Sequence, residues 1–468
     1  MPDADTIVSH DPTRPSEEVG RFPRSNDAAI AVALEAAAEA GPDWWGSAAL
    51  RASGLHAFAD SIAGARGELA DLLVREVGKP LTEARGEVDR SVAIVRFYAQ
   101  AAWDPVGEVL PATAGPGSRL EVRRSPVGVV LAITPWNFPL AIPIWKAAPA
   151  LAWGNRVILK PSRQAVAAAM FLGRLAAETL PAGVFQVVLA DAARTEQLIA
   201  DPSVGAVSFT GSVATGRHLA ILAATHQTPI QCEMGGQNAV LVLDDADLDA
   251  SAAMIAGAAM AFAGQKCTAT RRVVVLDSVR DAFVERLSAA IGGLAVGDPR
   301  DPATIVGPVI DANARSTIEG AVRAAVNDGA ARVLVAAGRP ADGWFCAPTV
   351  LAVDDPYATI AQEEVFGPAL SVLAAGNDDG AVAIANATRF GLSAAVYATD
   401  LDRATRVAGR LSAGLVRVNA PTTGVDFHAP FGGLGESSFG PREQGRAARE
   451  LFTKTQTVTI VPPAQRQG

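Results

Sequence analysis

Apolar residues recur every third and fourth position through most of the first hundred residues, the spacing that one buried face of a helix requires. Asn26 can cap a helix over 28–40, and the stretches 51–63, 68–77 and 82–101 follow with the same period. Gly78-Lys79-Pro80 is a stop between 68–77 and 82–101, because proline cannot continue a helix and glycine readily leaves one. Two short extended runs, 106–110 and 119–124, flank the turn Ala114-Gly115-Pro116-Gly117 and read as a hairpin standing away from the core.

From Val127 the period changes. β-rich runs at 127–133, 156–159, 184–189 and 206–209 alternate with helical stretches at 141–151, 165–180, 193–200 and 216–224. Such alternation predicts an α/β fold with a parallel sheet covered on both faces. A second series of strands, at 238–243, 272–276, 332–336, 370–374, 394–398 and 414–419, predicts a second sheet of the same kind. The tail 453–461 is a lone β-rich strand.

A chain of 468 residues predicts two or three domains, and 49% hydrophobic against 19% charged residues supplies ordinary globular cores. The net charge of −9 argues against nucleic acid as a partner, since phosphate binding needs a basic face. The apolar stretch 126–159 is broken by Pro135, Pro139, Pro143 and Pro149 and charged at Lys146. The stretch 250–264 is shorter than the roughly 20 residues that span a bilayer. Both read as buried, so no membrane role is expected. The first eleven residues are polar and acidic, with no apolar leader. Cys232, Cys267 and Cys346 cannot make a disulfide framework, which fits a cytoplasmic protein.

Three short segments carry chemistry. Cys267 lies in Gly264-Gln265-Lys266-Cys267-Thr268, after an apolar helical stretch. A thiolate there can add to an aldehyde carbon, and loss of hydride to a nicotinamide leaves a thioester. Glu233 precedes Gly235-Gly236 at the end of a β-rich run, where a carboxylate can swing into a cleft and activate water. Asn137, bracketed by Pro135 and Pro139, offers an amide that can hold an oxyanion together with the backbone N–H of Cys267. Each has a plainer alternative: a buried thiol, a solvated carboxylate, an asparagine capping a turn. Cys232 and Cys346 lack such surroundings and read as structural. No G-x-G-x-x-G occurs, but Phe209-Thr210-Gly211-Ser212 joins a strand to a helix. Gly211 permits close backbone approach there, and Ser212 with the helix N-terminus can hold a pyrophosphate.

The segments Pro135-Trp136-Asn137-Phe138-Pro139, Glu233-Met234-Gly235-Gly236 and Gly264-Gln265-Lys266-Cys267 occur in an order that resembles the NAD(P)-dependent aldehyde dehydrogenase superfamily, across nearly the whole chain. The resemblance implies an aldehyde dehydrogenase fold. A Rossmann-like cofactor domain would cover 1–105 and 126–233, and an α/β catalytic domain 234–450. A small β oligomerisation element, 106–125 with 451–468, would pair subunits into a homodimer or homotetramer. It further implies Cys267 as nucleophile, Glu233 as base and Asn137 in the oxyanion hole, with a small-molecule aldehyde as substrate and no metal. Members that pass the acyl group to coenzyme A generally lack the glutamate, so Glu233 favours hydrolysis. NAD or NADP would be held by Lys160, Ser162, Trp136, Glu364 and Phe366, besides Gly211 and Ser212.

Arg163 stands where NAD-preferring members commonly carry glutamate. It either points to solvent or pairs with a 2′-phosphate, so NADP⁺ or dual use is expected. Gly435 and Gln237 replace lysines common in the family, which bears on cofactor positioning. The aldehyde would be lined by Phe138, Ile142, Trp145, Lys266, Phe427 and His428. Segments 264–270, 426–433 and 439–445 look similar to the α-ketoglutaric semialdehyde dehydrogenase branch. Lys266, Arg271 and His428 would then meet a carboxylate; otherwise Lys266 and Arg271 face solvent or brace the loop. A neutral aliphatic or aromatic aldehyde is the alternative substrate, and a catalytically silent cofactor-binding relative the alternative role.

Overall fold

The computed structural model describes residues 5–463, so positions 1–4 and 464–468 of the expected segments lie outside the described residues. The four long helices expected near the start are present as Asp27–Glu39, Ala48–Gly64, Arg66–Val77 and Leu81–Ala101. Asn26 Oδ1 accepts from Ala29 N at 2.9 Å and caps the first of them. Gly78 ends the third at φ +66°, a left-handed value that suits glycine. One feature differs from the helical expectation. An antiparallel hairpin, Thr6–Asp11 with Arg14–Pro23, precedes the helices. Its second strand is almost wholly polar or exposed, so no alternation marks it in the sequence.

The first large sheet has six strands in the order Ser438–Phe439, Ile230–Glu233, Val204–Thr210, Val129–Thr134, Arg156–Pro161, Phe185–Val187. All neighbours are parallel except the two-residue Ser438–Phe439. Alternate residues of Val129–Thr134 feed opposite cores. Val130 and Ala132 join Leu140, Ile144 and Leu172 on one face. Leu131 and Ile133 join Ile30, Leu198 and Leu219 on the other. Burial on both faces explains the near-continuous apolar run of that strand. From Val129–Thr134 the chain builds outward through Arg156–Pro161 and Phe185–Val187, then crosses back to Val204–Thr210. The order therefore reverses between Val129–Thr134 and Val204–Thr210, the place where open α/β sheets bind ligands.

The second sheet runs Arg332–Ala336, Thr349–Ala352, Ala369–Ala375, Arg272–Leu276, Ala239–Val242, Ser393–Tyr397, Leu415–Val418. It departs from expectation at one edge. Thr349–Ala352 is a strand too short to stand out in the sequence, and Arg332–Ala336 pairs with it antiparallel. The edge strand is half-exposed, which an antiparallel edge tolerates. The tail strand Thr453–Ile460 pairs along its length with Arg119–Pro126, which pairs in turn with Gly107–Pro111. The result is a small three-stranded sheet with an open edge. Because Ser438–Phe439 belongs to the first sheet and Ala448 to its core, the last part of the expected catalytic segment returns to that layer, as do Leu451 and Phe452 at the start of the expected oligomerisation element.

Candidate active site

The site lies where the two large sheets meet, at the carboxyl ends of the first sheet's strands. Pro135, Trp136 and Asn137 follow Val129–Thr134, Gly211 follows Val204–Thr210, and Glu233 ends Ile230–Glu233. Cys267 arrives from the other side. Helix Leu248–Met260 stops, and Phe262, Ala263 and Gly264 turn the chain through φ values of 55°, 52° and 66°. Left-handed backbone costs non-glycine residues about 1 kcal/mol each, so the surroundings must hold it. They do so at three points. The Phe262 ring is fully buried, Phe262 N donates to Ile305 O at 3.1 Å, and the Arg271 guanidinium donates to Gly264 O and, at 2.7 Å, to Gly367 O.

A cavity of about 230 Å³ is lined by Cys267, Asn137, Ile142, Gly211, Glu364 and Phe366. Asn137 Nδ2 donates one hydrogen to Gln265 O at 2.9 Å, which fixes the amide and leaves its second hydrogen for a ligand. The Asn137 backbone is held by a buried ion pair. Lys79 Nζ donates to Asn137 O at 2.7 Å and to Glu87, whose other oxygen accepts from Leu140 N and Ala141 N at 2.9 Å each. Phe138 and Phe262 rings cover the same ammonium, at 3.9 and 4.7 Å. Trp136 meets Phe366 edge-on at 5.8 Å, and Gly236 N donates to Glu364 Oε1 at 3.1 Å. A Cβ at position 235 would fall 2.0 Å from Glu364 Oε2, so glycine there lets the Glu364 carboxylate keep its place.

Burial, with the Glu364 and Glu233 carboxylates nearby, pushes the Cys267 thiol up to about 12, against the backbone N–H groups of Cys267 and Thr268. Glu233 is not among the residues that line the cavity. Its carboxylate accepts from Gln231 Nε2 at 3.0 Å and from Ser438 Oγ. Burial first, and then the Glu443 carboxylate, hold its pKa well above the ordinary range, while Ser438, Lys146 and Arg442 pull it back. Lys146 pairs with Glu443 in the same buried patch and donates to Ser208 Oγ at 2.9 Å.

A second pocket of about 420 Å³ is lined by Lys160, Ser162, Arg163, Arg24 and Thr215. Between it and the thiol cavity stands the N-terminus of helix Val213–Thr225. Ser212 caps that helix, accepting from Thr215 N at 3.3 Å. Ser162 Oγ donates to Gln164 Oε1 at 2.5 Å. Burial lowers the Lys160 pKa, as does the neighbouring Arg24. Two pockets joined across a helix N-terminus suit the two nucleosides and the pyrophosphate of a dinucleotide. The buried Thr210 Oγ1, which lacks a protein partner, stands ready at the same wall.

Comparison with known proteins decides the class. The Aldehyde dehydrogenase family profile matches residues 1–458. The chain belongs to the aldehyde dehydrogenase family. It is 36% identical to the alpha-ketoglutaric semialdehyde dehydrogenase of Bacillus subtilis, over 98% of this chain and 95% of that one. It is 38% identical to the geranial dehydrogenase of Castellaniella defragrans, over 95% and 93%. The solved structure of an NAD-dependent aldehyde dehydrogenase from Sinorhizobium meliloti superposes with a TM-score of 0.93 at 36% identity, covering 99% of this chain and 93% of that one. The protein is thus an NAD(P)-dependent aldehyde oxidoreductase with the α/β fold of its family. Among the described residues, no helix is long and apolar enough to cross a membrane.

Within this aldehyde dehydrogenase the thiol cavity gathers Cys267, Asn137, Trp136, Ile142, Gly211, Ser212, Glu364 and Phe366, and the second pocket gathers Lys160, Ser162 and the exposed Arg163. Trp145 leans on Phe431 with ring centres 5.7 Å apart, and Phe427 lies edge-on to Phe97 and to His428. Two expected cations are already engaged. Lys266 Nζ pairs with Glu83 at 2.8 Å, so it does not stand free for a substrate carboxylate. Arg271 braces the cysteine loop, its Nη1 and Nη2 donating to carbonyls of Gly264, Lys266 and Gly367, while its buried Nε has no protein partner. The sequence reading missed Lys79, Glu87 and Glu443 and gave Lys146 no role. Charged residues at helical spacing look like a solvated face, and only their apolar flanks hinted at burial.

Proposed function

We propose that this aldehyde dehydrogenase oxidises a short, carboxylate-bearing semialdehyde, of the α-ketoglutaric semialdehyde kind, to the acid through a thioester on Cys267. The observation that carries the mechanism is the meeting of the Cys267 thiol, the second Asn137 amide hydrogen and Glu364 in one cavity. The thiol gives up its proton as sulfur adds to the aldehyde carbon. Asn137 and the Cys267 N–H hold the resulting oxyanion. Trp136, Glu364 and Phe366 would hold a nicotinamide beside that carbon, and the cofactor would supply the hydride acceptor. Glu233 then quits Ser438, swings to the thioester and takes a proton from the attacking water, which frees the acid and restores the thiol. Aldehyde, water and oxidised cofactor give acid, reduced cofactor and one proton.

For the substrate, the support is the likeness to the Bacillus subtilis enzyme and the local segments around Cys267 and Pro430. A neutral aldehyde is the second reading, favoured by the pairing of Lys266 with Glu83 and by the likeness to a geranial dehydrogenase. Arg163 and Arg24 at one pocket favour acceptance of NADP⁺ beside NAD⁺. The open-edged sheet of Gly107–Pro111, Arg119–Pro126 and Thr453–Ile460 suits a homodimer or homotetramer. Reduction of each cofactor, followed by absorbance across a panel of acidic and neutral aldehydes, tests the assignment. Preference for acidic semialdehydes is expected; preference for neutral ones would discard that substrate.

A further inference from the structure

One face of helix Leu81–Ala101 carries Glu83, Glu87 and Arg90, spaced four and three apart, so all three point the same way. Each grips a different wall of the site. Glu83 holds Lys266, next to the thiol, at 2.8 Å. Glu87 holds Lys79 and the amides that open the helix bearing Ile142 and Trp145. Arg90 donates Nη1 to Val425 O, in the loop that leads to Pro430. The face therefore runs from Cys267 out to that loop, alongside aromatic walls supplied by Trp145 and Phe431, 5.7 Å apart, and by Phe427.

Arg90 is half-buried, and among the described residues no carboxylate is hydrogen-bonded to it. Burial lowers its pKa, with Asp426 opposing and Arg417 adding to the effect. Asp426 is mostly exposed and lies 3.8 Å from Arg417 Nη2, so it is not a direct partner of Arg90. Of the five N–H donors of Arg90 one is used, and the rest suit a bidentate anion. We propose that Arg90, with Arg417 beside it, receives the distal carboxylate of a short semialdehyde whose carbonyl lies at Cys267. This assignment rests on the acidic-substrate reading above. It supplies the cation that Lys266 and Arg271, both engaged elsewhere, do not.

The test compares kcat/KM for α-ketoglutaric semialdehyde with that for pentanal, a five-carbon aldehyde lacking the carboxylate, in the full-length enzyme. Arg90→Met is expected to lower the acid-to-neutral ratio roughly 10- to 100-fold, mainly through KM, the size of one charge-assisted hydrogen bond. Arg90→Lys should restore part of the ratio, and Arg417→Met should lower it by a smaller factor. An equal fall for both substrates in Arg90→Met, or a ratio within twofold of wild type, overturns the assignment. Should Arg90→Met not fold, an unchanged ratio in both Arg90→Lys and Arg417→Met overturns it equally. A wild-type enzyme that prefers pentanal overturns the acidic-substrate reading along with it. Acid preference kept intact in Arg90→Met overturns the role of Arg90 alone.

Discussion

Glu87→Gln removes a charge and almost no volume, and should be among the most damaging conservative changes in the protein. Lys79 and Glu87 are fully buried, with side-chain exposures of 0% and 1%. Breaking such a pair by removing one partner costs about 3–5 kcal/mol, because the other charge is left uncompensated. The two halves are not equally exposed to that loss. Without Glu87, the Lys79 ammonium keeps only the Asn137 carbonyl at 2.7 Å and two aromatic faces, so a loss of about 3 kcal/mol is expected. Without Lys79, the Glu87 carboxylate keeps the Leu140 and Ala141 amides at 2.9 Å and the positive end of a helix. Lys79→Met should therefore cost about 1–2 kcal/mol. The double variant should cost less than the sum, with a coupling of about 2 kcal/mol. Equilibrium urea denaturation of the four proteins measures all of this. Additive costs, or a Glu87→Gln penalty below that of Lys79→Met, would refute the reasoning.

Two further outcomes are expected. Glu233 acts as a base only when ionised, and burial and Glu443 raise its pKa, so turnover limited by hydrolysis rises with pH through that raised value. Lys146 pulls it down, so Lys146→Met should move the rising limb of the kcat–pH profile to higher pH; an unmoved limb or a move to lower pH counts against this. Folding stability runs the opposite way, because Glu233 contributes a loss of stability as pH rises past its unfolded pKa, since the native state keeps its proton longer. Arg163→Glu places a carboxylate at the adenosine pocket and should lower the NADP⁺-to-NAD⁺ ratio of kcat/KM roughly tenfold or more, an effect that an unchanged ratio would rule out.

Asn137, Gly211 and Cys267, which line the cavity, stood out in the sequence because their neighbours are unusual: prolines around Asn137, a strand-to-helix turn at Gly211, and an apolar helix before Cys267. Doubly covered parallel strands were legible for a similar reason, since burial on both faces writes a continuous apolar run. What escaped notice was what supports these groups. Glu443 pairs with Lys146 far along the chain, and Lys79 and Glu87, though near in sequence, sit on either side of a helix start, so local pattern carries no trace of either pairing. The hairpin Thr6–Asp11 with Arg14–Pro23 was missed because its second strand is polar on both faces. For Lys266 and Arg271 the sequence left two readings open, substrate cations or a brace for the loop, because it gives their charge but not the Glu83 carboxylate and loop carbonyls that take it up.

The covalent step is the central claim, and trapping it is the most direct measurement. Glu233→Gln cannot activate water, so after exposure to semialdehyde and cofactor it should hold an acyl group on the peptide containing Cys267, seen by mass spectrometry as one reduced cofactor forms per site. No adduct at Cys267, or continued turnover of Glu233→Gln at the wild-type rate, would contradict the account.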